Sequence, residues 1–169
     1  MRGAGRVVRY LHASAIISPV GVYRYTLLRR WRQRPDRTFV VVGLNPSTAD
    51  ATTDDPTIRR CVSFAKREGC GALVMLNLYG LRSTDPAALW SHPDPIGPDN
   101  DKHIRALIAP RDLVVAAWGA NARDPDRVAA VLGMIGPCFC LGTTKDGHPR
   151  HPLYVSGTRR LMPYGDGAA

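Results

Sequence analysis

The sequence predicts an α/β fold with a central, mainly parallel sheet of about four strands, helices on both faces, and an antiparallel hairpin at the N-terminus. Three observations predict it. Apolar β-type runs alternate with helix-period segments between residues 38 and 142, the pattern of strand-helix-strand crossovers. The runs TFVVVGL and ALVML lack the polar alternation of a half-solvated strand, as expected where both faces are covered. Asp55-Pro56 and Asp124-Pro125 supply a cap and a first-turn proline at two helix starts. At 169 residues the chain suits one domain, with its core over 14–155 and a flexible tail over 156–169.

The elements follow in order. Residues 14–28 hold two short β-type runs around Pro19-Val20-Gly21, a hairpin signature, and RRWRQRPDR is a basic connector. TFVVVGL (38–44) is the first buried strand. The helix over 56–68 places Ile58, Cys61, Val62, Phe64 and Ala65 on one side and stops near Gly69. ALVMLNLY (72–79) is the second buried strand, followed by a proline-rich loop and a helix over about 99–109. DLVVAAWG (112–119), the helix DPDRVAAVLGMI and CFCLG (138–142) complete the core, and loop follows.

A formal net charge of +9 and a pI near 9.9 favour a polyanionic partner, nucleic acid first. Only three of the basic residues are lysines (Lys66, Lys102, Lys145). No apolar run approaches the roughly 18 residues that span a bilayer, and MRGAGRVVRY has no signal-peptide apolar region, so a cytoplasmic location is expected. The cysteines at 61, 70, 138 and 140 lack paired C-x-x-C spacing and read as buried free thiols.

Ligands of such sheets collect at the carboxyl ends of the strands. Asn45, Asn77, Trp118 and the loop after Leu141 all leave strands at that edge. In GLNPS, Gly43 allows close backbone approach, Pro46 fixes the turn, and the Asn45 amide can hold a water or a substrate group; taken alone the segment would be an ordinary Asx-turn. Asp50 and Asp54 could activate water or bind a hard cation, whereas Asp55 reads as the cap of the helix that Pro56 opens. Asn77 interrupts an apolar strand with a donor and an acceptor suited to a base edge, and Tyr79 could stack on a base or serve as a core-edge aromatic. In KDGHPRHPLY, a histidine could donate to a charged leaving group, although the segment also reads as a surface turn. His148 and His151 have no evident third ligand, so neither metal nor other cofactor is expected. Arg59, Arg60, Arg82, Arg150, Arg159 and Arg160 could meet phosphates or simply form a solvated basic surface.

Together GLNPSTAD, DDPT, NLYGLRSTDP, AWG and TKDGHPRHPLY resemble the uncharacterised DUF1643 family over residues 14–155. More distantly, the order of motifs is similar to the uracil-DNA glycosylase superfamily, in particular the branch whose first motif is G-I-N-P-G. That resemblance implies a three-layer α/β/α sandwich. It also implies that Asn45 positions the attacking water, His151 steadies charge on the departing base, and Asn77 reads the base. Trp118-Gly119 matches the W-G of the third-strand motif, and Gly43, Leu44 and Tyr79 join the base pocket. Arg59, Arg82, Arg150 and Leu153 would contact DNA, Leu153 as a wedge. Ser47 replaces the last Gly of G-I-N-P-G, and His-Pro-Leu-Tyr lacks the phosphate-gripping Ser of the longer H-P-S-P-L-S. The implied activity is metal-independent hydrolysis of the N-glycosidic bond of a deaminated or modified base in DNA. The alternatives are a non-catalytic nucleic-acid or nucleotide-binding protein, and a metal-assisted nucleotide hydrolase using Asp50 and Asp54.

Overall fold

Pro19-Val20-Gly21 reverses the chain, with Gly21 at φ +76°, a conformation open to glycine because it has no Cβ. The hairpin so formed joins β1 (His12–Ile17) and β2 (Arg24–Arg30). The computed structural model describes residues 9–165. Further strands are β3 (Thr38–Gly43), β4 (Ala72–Asn77), β5 (Leu113–Ala116), β6 (Cys138–Cys140) and β7 (Met162–Tyr164). The helices are α1 (Pro56–Arg67), α2 (Ala88–Ser91), α3 (Asn100–Ala106) and α4 (Pro125–Ile135), with a 3-10 turn at Pro152–Tyr154.

All seven strands form one mixed sheet in the order β1-β2-β4-β3-β5-β6-β7. The neighbours β4, β3, β5 and β6 run parallel, and the flanking pairs β1/β2, β2/β4 and β6/β7 are antiparallel. Two features differ from expectation. The hairpin extends the same sheet through β2 on β4, and part of the expected tail becomes β7 against β6. Pro163 argues against a strand interior, but β7 is an edge where a missing N–H is tolerated. Residues 166–169 of that tail, and the first eight residues of the expected N-terminal segment, lie outside the described residues.

Period-two alternation divides the core. Val40, Val42, Val74, Leu76 and Val114 pack with Ile104 of α3 and Val131 and Ile135 of α4. Phe39, Val41, Leu73, Met75 and Val115 pack with Ile58, Cys61, Val62 and Phe64 of α1. Asp55 caps α1 by accepting from the Ile58 N–H at 2.8 Å, and Asp124 caps α4. The helix expected over 99–109 ends at Ala106, before Pro110 and a turn in which Asp112 accepts from the Ala109 N–H. All four cysteines are free and buried. Among the described residues no helix is long and apolar enough to cross a membrane.

One irregularity matters for the site. Ile16 pairs with Thr26 but Ile17 pairs with Arg24, so Tyr25 is the extra residue of a β-bulge. Simple alternation would put Arg24 on the side of Leu28, which packs with the α3/α4 core. The bulge turns it to the side of Leu27 and Arg29, where its Nη1 meets the Ala49 carbonyl at 2.6 Å. Tyr25 stacks on His103 of α3 instead.

Candidate active site

A cavity of about 370 Å³ opens at the carboxyl edge of the parallel strands. It forms there because β3, β4 and β5 end beside one another and each continues into a loop. Asn45, Asn77 and His151 all line it, as do Gly43, Leu44, Trp118 and Arg150.

Asn45 is half-buried and its Nδ2 donates to the carbonyls of Pro46, Leu81 and Ser83 at 3.0–3.3 Å. The amide nitrogen thus ties the loop after β3 to the loop after β4. Only Oδ1 is left to address a ligand or water, since it has no hydrogen-bond partner among the described residues.

Asn77, at the end of β4, is 3 % exposed, and its Nδ2 has no partner among the described residues. A buried amide left unpaired costs free energy that a bound acceptor would recover. Gly43 serves this side chain: a Cβ there would stand 2.8 Å from Asn77 Oδ1. The glycine thus makes room for Asn77, and it also lines the cavity.

His151 opens the 3-10 turn, and its Nδ1 accepts from the Leu153 N–H at 3.3 Å. In the neutral ring that acceptor role assigns the proton to Nε2. Burial pushes the imidazole below its usual 6.5, and the Asp55 carboxylate opposes that shift only in part. The ring is therefore a neutral donor near pH 7. Trp118 is buried and stands edge-on to Tyr164 of β7, with Nε1 unpartnered among the described residues.

Several expected residues stand elsewhere. Tyr79, expected to stack on a base, is buried in the core edge-on to Trp90 and does not line the cavity. Of the residues assigned to DNA, Arg150 reaches the cavity wall while its Nε holds the Thr143 carbonyl. Arg82 braces the hairpin through the Gly21 carbonyl, and Arg59 holds the Asp54 carbonyl. Leu153 is half-exposed just after His151, outside the cavity lining. Asp54 is committed to Arg29 at 2.8 Å and to the Tyr10 hydroxyl at 2.5 Å. Asp50 accepts from the Thr52 and Thr53 N–H groups, which lowers its pKa. Asp54 through both oxygens and Asp50 through Oδ1 thus hold the loop 50–55, and neither lines the cavity. His148 is tied to Thr144 through its backbone.

Arg24 is the residue the sequence reading passed over. It lines the cavity, is 2 % exposed, and its Nε has no partner among the described residues. Its one sequence signal was a charged residue inside VYRYTLL, and only the bulge decides where that charge points.

No curated protein and no solved structure matches the chain. A family model described as a protein of unknown function (DUF1643) matches residues 24–153, most of the chain and a span that contains Arg24, Asn45, Asn77, Trp118 and His151. The chain therefore belongs to the DUF1643 family.

Proposed function

We propose that the chain is a DNA glycosylase-like enzyme, hydrolysing the N-glycosidic bond of a deaminated or modified base in DNA, with the cavity as its base pocket. The observation that carries this reading is His151, a neutral imidazole whose Nδ1 is occupied by the Leu153 N–H, which leaves Nε2–H as its donor, and which lines the same cavity as Asn45 and Asn77. Heterolysis of the bond leaves its electron pair on the departing nitrogen, where the Nε2–H donates. A water oxygen held by Asn45 Oδ1 bonds to the sugar carbon, and its proton passes to solvent. The unpaired Nδ2 of Asn77 donates to an acceptor on the base edge. Such donors act as an oxyanion hole does, each worth about 3–4 kcal/mol of barrier. The fold proposed with it is a three-layer sandwich of the uracil-DNA glycosylase kind, which the helices packed on both sides of the sheet support; the proposed location is the cytoplasm and the proposed chemistry is metal-independent.

The test is incubation with oligonucleotides carrying a panel of deaminated and alkylated bases, scoring alkali-sensitive abasic sites. Wild type is expected to cleave at least one, and His151→Ala to lose roughly two to three orders of magnitude in rate. Undiminished cleavage by His151→Ala, or none by wild type on any base, would overturn the mechanism. Binding without cleavage would instead mark the non-catalytic alternative.

A further inference from the structure

Among the described residues three arginines are buried, Arg24, Arg29 and Arg127. Two of them are neutralised: Arg29 pairs with Asp54 at 2.8 Å and Arg127 with Asp101 at 2.7 Å. Arg24 has no carboxylate within ion-pair distance among the described residues, only the Ala49 carbonyl on Nη1. A cation withdrawn from water without a carboxylate in direct contact is a costly arrangement, and one kept where something outside the chain completes it. Burial accordingly lowers the Arg24 pKa to about 10, with Asp55 opposing that shift, and the group stays charged at neutral pH.

The cavity has further appetite of the same kind. Asn77 Nδ2 and Trp118 Nε1, like Arg24 Nε, are buried donors without partners among the described residues. Three residues that line the cavity thus each carry a buried donor without a partner among the described residues, one of them cationic, which favours a ligand rich in acceptors and carrying an anion. Among the lining residues Asp55 is the one carboxylate, its Oδ1 already accepts from Ile58, and Arg24 and Arg150 outnumber it.

The sheet order sets the length of that ligand. Arg24 belongs to β2, Asn77 ends β4, Asn45 follows β3 and Trp118 follows β5, and these are consecutive neighbours. Three strand spacings separate the Arg24 end from the Trp118 end, about 14 Å. That is the reach of a nucleotide, not of a bare base or a free ion.

We infer that Arg24 seats a terminal phosphate, so that the cavity takes a nucleotide bearing a phosphate monoester, free or at a strand end. The inference rests on the reading of the cavity as a base pocket. A diester inside a strand continues on both sides and stays at the surface, whereas a monoester can enter a cavity and meet a buried guanidinium through paired N–H bonds.

The test is calorimetric titration of wild type, Arg24→Gln and Arg24→Lys. The probes are inorganic phosphate, 2′-deoxyuridine and 2′-deoxyinosine with their 5′-monophosphates, and a short single strand with and without a 5′-phosphate. At least one monophosphate is expected to bind wild type at least about tenfold tighter than its nucleoside, and that preference to vanish in Arg24→Gln. Unliganded Arg24→Gln is expected to melt no lower than wild type, because an uncompensated charge has been removed. A structural strut would give the opposite result. Equal affinity for nucleoside and nucleotide in wild type, an undiminished preference in Arg24→Gln, or no binding of any probe overturns the inference. Nucleoside binding indifferent to phosphate sinks the phosphate seat and leaves the base pocket standing. Arg24-dependent binding of inorganic phosphate without any nucleoside binding upholds the seat and sinks the base pocket. The phosphorylated strand against the free monophosphate tells a strand end from a mononucleotide.

Discussion

The ideal Cβ position of Gly43 lies 2.8 Å from Oδ1 of Asn77, across the register pair that joins the ends of β3 and β4. The colliding atom is the tip of a side chain beside a cavity, so Gly43→Ala has an escape route, at a stability cost of about 1–2 kcal/mol. What it displaces is the amide proposed to read the ligand. Gly43→Ala is expected to keep a cooperative melt while losing most binding of the nucleotide probes, and calorimetry beside a thermal melt checks both.

His151 gives a pH dependence of defined sign. Its folded pKa lies below the usual 6.5, so the unfolded chain binds the proton more readily. The stability held by the neutral ring is present above about pH 6.5 and is lost as pH falls through the lower folded pKa. Protonation also takes Nδ1 away as acceptor for the Leu153 N–H. Melting temperature against pH is expected to fall more steeply on the acid side in wild type than in His151→Gln, and superimposable profiles would contradict this.

The loop 50–55 hangs on a buried ion pair. Arg29 is 1 % exposed and binds Asp54 through Nε and the Asp50 and Thr53 carbonyls through Nη2. Asp54→Ala strands that guanidinium and is expected to cost about 3–5 kcal/mol. A urea midpoint checks the loss. Added magnesium is expected to leave the wild-type midpoint unmoved, since Asp54 is engaged through both oxygens and Asp50 through Oδ1.

The last strand reaches the site through one aromatic contact. Tyr164 of β7 stands edge-on to Trp118 with ring centroids 5.8 Å apart, and Trp118 lines the cavity. A chain ending at Arg160 is expected to lose about 1–2 kcal/mol. It should also bind nucleotide probes more weakly than the full chain, which a melt and a titration measure together.

Much of the fold was legible because local chemistry and long-range packing agree. The uninterrupted strands at 38–43 and 72–77, the caps Asp55 and Asp124, and the Pro-Val-Gly reversal each carry their own signal. The seventh strand was not legible, since Met162-Pro163-Tyr164 becomes a strand only because β6 offers an edge to pair with. Tyr79 was left open between core and ligand for a related reason: nothing local says whether an aromatic after a strand turns inward to Trp90 or outward.

By itself the sequence determined that strands and helices alternate and that Asn45, Asn77 and the His151 loop leave their strands at one edge. Periodicity and turn chemistry are local and need no knowledge of neighbours. Tertiary structure alone decided that Arg24 joins them. A single extra residue at Tyr25 reverses the face of everything before it in the strand, and whether a buried cation has a carboxylate depends on which loops fold against it.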